Sequence, residues 1–202
     1  MLRAERISFR YSPNRPWILR GFSLAIAPGE RVGLYGPSGC GKTTFGRILA
    51  GYLQPLGGNV ELDGEPLPKK SYCPVQMIFQ HPELAINPRW TIGKALYEAY
   101  QPPPSLLEAL SLDPHWFERF PHELSNGELQ RIAVARVLDP RTRYLIADEI
   151  TTMLDANTQA QLWQVLLDVA AQRRLGMLVI SHDRPLLERV CTRIVDWALE
   201  AH

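Results

Sequence analysis

The run GPSGCGKTT at residues 36–44 carries the most legible chemistry in the chain. Gly36, Gly39 and Gly41 let successive backbone N–H groups approach phosphate oxygens closely, and a helix starting there adds the positive end of its dipole. In the pattern G-x-x-x-x-G-K-[ST], Lys42 would neutralise the β and γ phosphates of a nucleotide and the Thr43 hydroxyl would ligate Mg2+. Pro37, Ser38, Cys40 and Thr44 complete the same cradle. Cys40 reads equally well as a reactive thiol or as a small loop filler.

A second group follows the strand-like YLIADE at 144–149. A buried strand that delivers Asp148 and Glu149 at its carboxyl end places two acids beside a phosphate loop on the same parallel sheet. Asp148 suits Mg2+ coordination, and Glu149 suits polarising an attacking water. Adjacent acids after a strand are often only a solvated turn, and the loop upstream is what favours the chemical reading. His182 ends LVISH, where it is either an ordinary core or surface histidine or a hydrogen-bond partner for the γ phosphate or the attacking water.

These residues need elements to position them. Short apolar runs and turn signals alternate over the first 36 residues and predict a small antiparallel layer, followed by a buried strand at RVGLY. GPSGCGKTTFGRILAGYLQP then shifts towards helical period and closes on Gly51 and Pro55. NVELD and PVQMIF read as strands around a proline- and lysine-rich turn. From His81 to about Arg136 the pattern is helical and loop-rich, broken by PPPS at 102–105 and by LDPHWFERFP. Strand, helix and strand follow in RYLIADE, NTQAQLWQVLLDVAAQR and MLVISH, so the expectation is an α/β fold with a mostly parallel sheet. The chain is read as one domain, with 1–80 and 137–202 as the core and 81–136 as an inserted helical subdomain.

Composition narrows the functional classes. The 202 residues are 46% hydrophobic, enough for a real core, and the formal net charge of +1 gives no electrostatic case for nucleic acid. Cys40, Cys73 and Cys191 are odd in number, and no CxxC accompanies them; a reducing compartment is expected, without a disulfide framework or zinc site. Neither an apolar leader nor a run of about 18–20 apolar residues is present, so a membrane role requires a partner.

Taken together, the residues resemble the nucleotide-binding subunits of ABC transporters over nearly the whole chain. GPSGCGKTT is similar to Walker A, YLIADE to Walker B, LSNGELQR at 124–131 to the signature, and Gln80 to the Q-loop residue. TMLD ending at Asp155 is similar to the D-loop, and His182 to the switch histidine. Tyr11 resembles the aromatic residue on which adenine stacks, with Trp17 a weaker candidate and a core role for Tyr11 the alternative. The resemblance implies a P-loop NTPase core of RecA-like type. It also implies ATP and Mg2+ as ligands, with Thr43, Gln80 and Asp148 at the metal and Glu149, His182 and Gln80 at the chemistry. Ser125 and Gly127 would cradle the γ phosphate bound by a second ATPase subunit. MIFQHPELAINPRWTIG and RFPHELSNGELQRIAVAR are similar to the peptide- and nickel-importer branch. The partners implied are an identical or paralogous ATPase, transmembrane permease subunits and, indirectly, a solute-binding protein. The location implied is the cytoplasm, peripheral on the inner face of the cell membrane.

The departures are specific. Asn126 and Glu128 replace a glycine and a glutamine of the usual signature, Ile150 replaces the proline after the Walker B glutamate, and Thr152 and Met153 replace small residues before Asp155. The span from Gln80 to the signature is short for the branch, and relatives often continue beyond the equivalent of Trp197. Two alternatives therefore stand beside a transport ATPase: a regulatory subunit of an asymmetric heterodimer with little turnover, and a soluble ABC ATPase outside transport.

Overall fold

The computed structural model describes residues 1–152 and 154–197; Met153 lies outside the described residues. Alternating burial makes β1 (Leu2–Phe9) and β2 (Leu19–Ile26) an antiparallel pair, with Leu2, Ala4, Ile7 and Phe9 turned inward. β3 (Arg31–Tyr35) leaves this layer, while β4 (Gly57–Leu62) and the two-residue β5 (Glu65–Pro66) complete it in the order β2-β1-β4-β5. β5 falls inside the stretch expected to be a turn, and it closes a hairpin through Leu62 and Glu65.

The second sheet contains β3, β6 (Val75–Ile78), β7 (Tyr144–Asp148), β8 (Gly176–Ser181) and β9 (Arg193–Asp196), in the order β6-β7-β8-β3-β9 with every neighbouring pair parallel. Every residue of β7 and β8 is buried, as expected for central strands covered on both faces. Register sets Asp148 and Leu34 each opposite Ile180. The carboxyl ends of β7, β8 and β3 are therefore level, which is where the chemical residues emerge.

Side chains alternate along β7, so one strand serves two cores. Tyr144 and Ile146 join Leu2, Ile7, Phe22, Phe45, Ile180 and Trp197 between the two sheets. Phe22 meets Phe45 edge-on at 4.8 Å and Trp197 at 4.9 Å, contacts worth about 0.5–1.5 kcal/mol each beyond their buried area. Helix α1 (Lys42–Leu49) lies close over the sheet at Gly46, where a Cβ would come within 2.9 Å of Ile180 Cδ1.

Leu145 and Ala147 face the other way, towards α5 (Ala156–Arg173), α6 (Arg184–Val190) and the 81–136 stretch. That stretch holds α2 (Ile92–Leu96), α3 (Pro104–Ala109), α4 (Asn126–Val137) and three single 3-10 turns. Pro104 opens α3 rather than only breaking a helix, because its fixed φ and missing N–H suit the first helical position. Arg136 ties α4 to this region by donating to the Ala95 carbonyl at 2.9 Å, the Ala85 carbonyl and the Glu98 carboxylate at 2.7 Å. Leu106, Leu124 and Ile132 share one apolar cluster with Leu145 and Val179, so the stretch packs directly against the sheet.

Candidate functional site

The strand β3 ends at Tyr35 and the loop from Gly36 to Gly41 turns the chain into α1. Gly41 is the N-cap, at φ 109° with no side-chain cap bond, so the first N–H groups of α1 are left to the loop's mouth. A Cβ at Gly41 would lie 2.5 Å from Ile18 Cγ2, in a backbone region that side chains rarely adopt. Lys42 is buried, and its Nζ donates to the Gly36 carbonyl at 2.8 Å and to the Pro37 carbonyl at 2.7 Å. The amine is thus folded over its own loop, 3.8 Å from Cys40 Sγ.

Trp197 holds the loop from beneath: its Nε1 donates to the Cys40 carbonyl at 2.8 Å, and its ring is buried. No local sequence signal marks this contact, because 157 residues separate the partners.

The two carboxylates of Asp148 and Glu149 have different surroundings. Thr43 Oγ1 donates to Asp148 Oδ1 at 3.0 Å, which joins two of the three residues expected at a metal. Burial pushes the Asp148 carboxyl up to about 6; the Thr43 bond pulls it down and the neighbouring Glu149 charge pushes it further up. An oxygen pair of this kind, one hydroxyl and one desolvated carboxylate, fits a hard cation such as Mg2+. Bound there, a cation would add to the Thr43 bond and the Arg47 and Lys42 charges in offsetting the burial cost of Asp148.

Glu149 stands just beyond β7 at φ 48°, a left-handed conformation that costs a non-glycine residue about 1 kcal/mol or more. Its N–H donates to the Ile180 carbonyl at 3.0 Å and fixes the turn. Its carboxylate lies 2.9 Å from His182 Nδ1, just beyond the end of β8. Ile150, the residue standing in for proline, is buried in the helical-side core.

Tyr11, Ser38, Gly39, Gly41, Lys42, Thr43, Thr44, Gln80 and Glu149 line one cleft of about 380 Å3, together with Ile18. Tyr11 is 57% exposed, stands edge-on to Phe9 and shares a 3.1 Å hydrogen bond with Thr44 Oγ1. It is not a core tyrosine. Trp17 instead stacks on the Arg10 guanidinium at 4.6 Å.

Ser125, Gly127 and Asp155 do not reach this cleft. They line a separate cavity of about 360 Å3 with Trp116, Glu128, Arg131 and Thr158. Glu128 turns back on its own helix: the Ser125 N–H donates to Glu128 Oε2 at 2.7 Å, and the Glu128 N–H donates to Ser125 Oγ at 3.3 Å. This reciprocal cap fills the N-terminus of α4. Asp155 caps α5 by accepting from the Asn157 and Thr158 N–H groups, both at 3.0 Å. The Thr158 bond leads in holding its carboxyl below the ordinary range. Trp116 and Arg131 in this second cavity were not singled out from the sequence; nothing in their local spacing distinguishes them from helix-surface residues.

The sequence pattern of the ABC transporter family matches residues 19–152. The chain belongs to the ABC transporter family. Within that family, a Brucella ovis protein named as a peptide import ATP-binding protein is 36% identical over 88% of this chain and 62% of its own length. A Bacillus subtilis protein named as an oligopeptide transport ATP-binding protein, YkfD, is 35% identical over 86% of this chain and 59% of its own length. The chain thus spans about three fifths of the curated relatives it matches. Among solved structures, the dimeric ATP-binding cassette MJ0796 in a post-hydrolysis state bound to ADP and Pi superposes with a TM-score of 0.82 over 97% of this chain and 94% of that one, at 24% identity. The cassette cbiO1 from Clostridium perfringens, part of a cbiONQ complex, gives 0.76 over 96% and 83%, at 22% identity. These likenesses establish the P-loop α/β fold of an ABC cassette. Among the described residues, no helix is long and apolar enough to cross a membrane.

Proposed function

We propose that this chain is the ATP-hydrolysing subunit of an ABC importer, acting on a peptide or on nickel or a metal chelate through a membrane permease fed by a solute-binding protein. The observation that carries the reading is one cleft lined by Lys42, Thr43 and Glu149, with Asp148 bonded to Thr43 and His182 bonded to Glu149 at its edge. Lys42 would exchange the Gly36 and Pro37 carbonyls for β and γ phosphate oxygens, with Tyr11 against the adenine. Thr43, Asp148 and Gln80 would hold Mg2+, which supplies charge neutralisation across those oxygens. Glu149 would take a proton from water as the water oxygen bonds to the γ phosphorus and the bond to the β-phosphate oxygen breaks, leaving ADP and phosphate. His182 would keep the Glu149 carboxylate aimed by its Nδ1 contact.

The second cavity, with Ser125 and Gly127, would complete the nucleotide site of a second subunit arranged head to tail. Residues 81–136 would form the helical subdomain that meets the permease on the cytoplasmic face of the membrane. The names of the Brucella and Bacillus relatives support peptides as the first solute class to test. One observation favours a second reading, a regulatory partner with little turnover: the signature helix already carries its own carboxylate cap.

Glu149→Gln decides the role of the acid. Turnover should fall at least about 100-fold, the usual loss for a general base, while an ATP-dependent dimer accumulates on size-exclusion chromatography. Wild-type turnover in the variant would remove Glu149 from the chemistry.

A further inference from the structure

Opposite the nucleotide cleft, at the other end of the parallel sheet, lies a cavity of about 580 Å3 lined by Pro28, Pro140, Thr142, Tyr144 and three arginines, Arg143, Arg173 and Arg174. Tyr144 opens β7 and Asp148 closes it, so the two regions are about 13 Å apart along the strand. None of the cavity's residues lines the nucleotide cleft.

The charge there is unbalanced by its surroundings. Arg143 gives one nitrogen to Asp63 at 2.6 Å, and Asp63 also takes the amino terminus. Arg173 gives one nitrogen to the Leu138 carbonyl at 2.7 Å. Asp139 is taken by Arg141 at 2.5 Å, and Glu30 by Arg193 at 2.9 Å. Each nearby acid thus has a cation of its own. The Arg174 guanidinium has no hydrogen bond or ion pair among the described residues. With five N–H donors per guanidinium, most of the donors around this cavity are uncommitted.

One further feature is costly unless something offsets it. Arg174 ends α5 at φ 54°, the left-handed position where glycine is usual, although it is not a glycine. The cavity therefore offers donors from the arginines at its rim.

We propose that this cavity is a second anion site, binding a small molecule that carries phosphate or carboxylate groups. Forked guanidinium donors suit both oxyanions, and the volume exceeds that of a single phosphate. The site stands independently of the nucleotide reading, since it uses none of the same residues.

The test is calorimetric titration of pyrophosphate and, separately, citrate into the full chain carrying Lys42→Ala, which silences the phosphate loop. One saturable site with Kd below about 1 mM is expected for at least one probe. Pyrophosphate alone would assign a phosphate ligand, and citrate alone a polycarboxylate. Arg174→Gly, added to Lys42→Ala, should weaken binding at least about tenfold, the scale of one charge-assisted contact. The same change relieves the left-handed strain, so the thermal midpoint should hold or rise and misfolding cannot mimic the loss. Absence of a saturable site for both probes, or unchanged affinity in Arg174→Gly, would overturn the proposal.

Discussion

Two helix N-termini in this molecule are built on opposite plans. At α1 the cap is a glycine with no side chain, the helix N–H groups open to the cleft, and the Lys42 amine rests on two loop carbonyls. At α4 the cap is a serine locked to a glutamate, and the positive end of the helix already has a carboxylate on it. The first presents its N–H groups to the cleft; the second has its cap N–H on the Glu128 carboxylate and its Glu128 N–H on the Ser125 hydroxyl. On the proposed function, nucleotide capture would use the uncapped end and dimer closure the capped one.

The comparison can be broken most forcefully at the open end. Lys42→Ala should lower Mg-ATP turnover by about 100-fold or more, as expected for loss of a preorganised cation on the transferring phosphoryl group. Steady-state phosphate release measures it. Gly41→Ala should act through shape and backbone strain, because its Cβ would collide with Ile18 at a positive φ. An overpacking cost of about 1–3 kcal/mol predicts at least fivefold weaker ATP binding, read by titration with a fluorescent nucleotide.

Beyond the rear of α4, Asp139 is buried and accepts from the Arg141 backbone N–H at 2.8 Å and from its guanidinium Nε at 2.9 Å. The Arg141 bonds hold its carboxyl below the ordinary range, so its contribution is fully present above about pH 4 and is lost as pH falls through the folded value. Asp139→Asn should cost about 1–3 kcal/mol at pH 7 by urea unfolding, with the gap from wild type closing in acid. A gap that widened in acid would reverse the assigned direction.

The smallest effects sharpen the closed end. Glu128→Gln keeps the reciprocal cap but removes the charge, and turnover should rise about two- to fivefold with little change in stability. Glu128→Ala breaks the cap and should cost about 0.5–1 kcal/mol in thermal stability. Slower turnover in Glu128→Gln than in wild type would show that the carboxylate is no obstacle.

The contrast also separates what the sequence makes legible from what it hides. The strands at RVGLY, YLIADE and MLVISH are readable because each is a short apolar run with a punctuated end, and the register that levels them follows from parallel pairing. GPSGCGKTT is readable because one contiguous loop does the work. By contrast, the direction of Glu128 depends on a rotamer, and the sequence alone leaves its carboxylate free to face solvent or phosphate. Trp197 under the loop and the arginines around Tyr144 depend on contacts between distant segments, which no local period encodes. Ile150 is similar: its substitution is visible, whereas the positive φ of Glu149 beside it emerges only when β7 and β8 fix the turn.

The most direct test is Mg-ATP hydrolysis by the purified chain measured against protein concentration, with Lys42→Ala alongside. Turnover per subunit that rises with concentration and vanishes in the variant would show that the open site and the self-capped signature complete each other in a homodimer. ATP binding with no turnover at any concentration would contradict that claim and leave catalysis to a different second subunit.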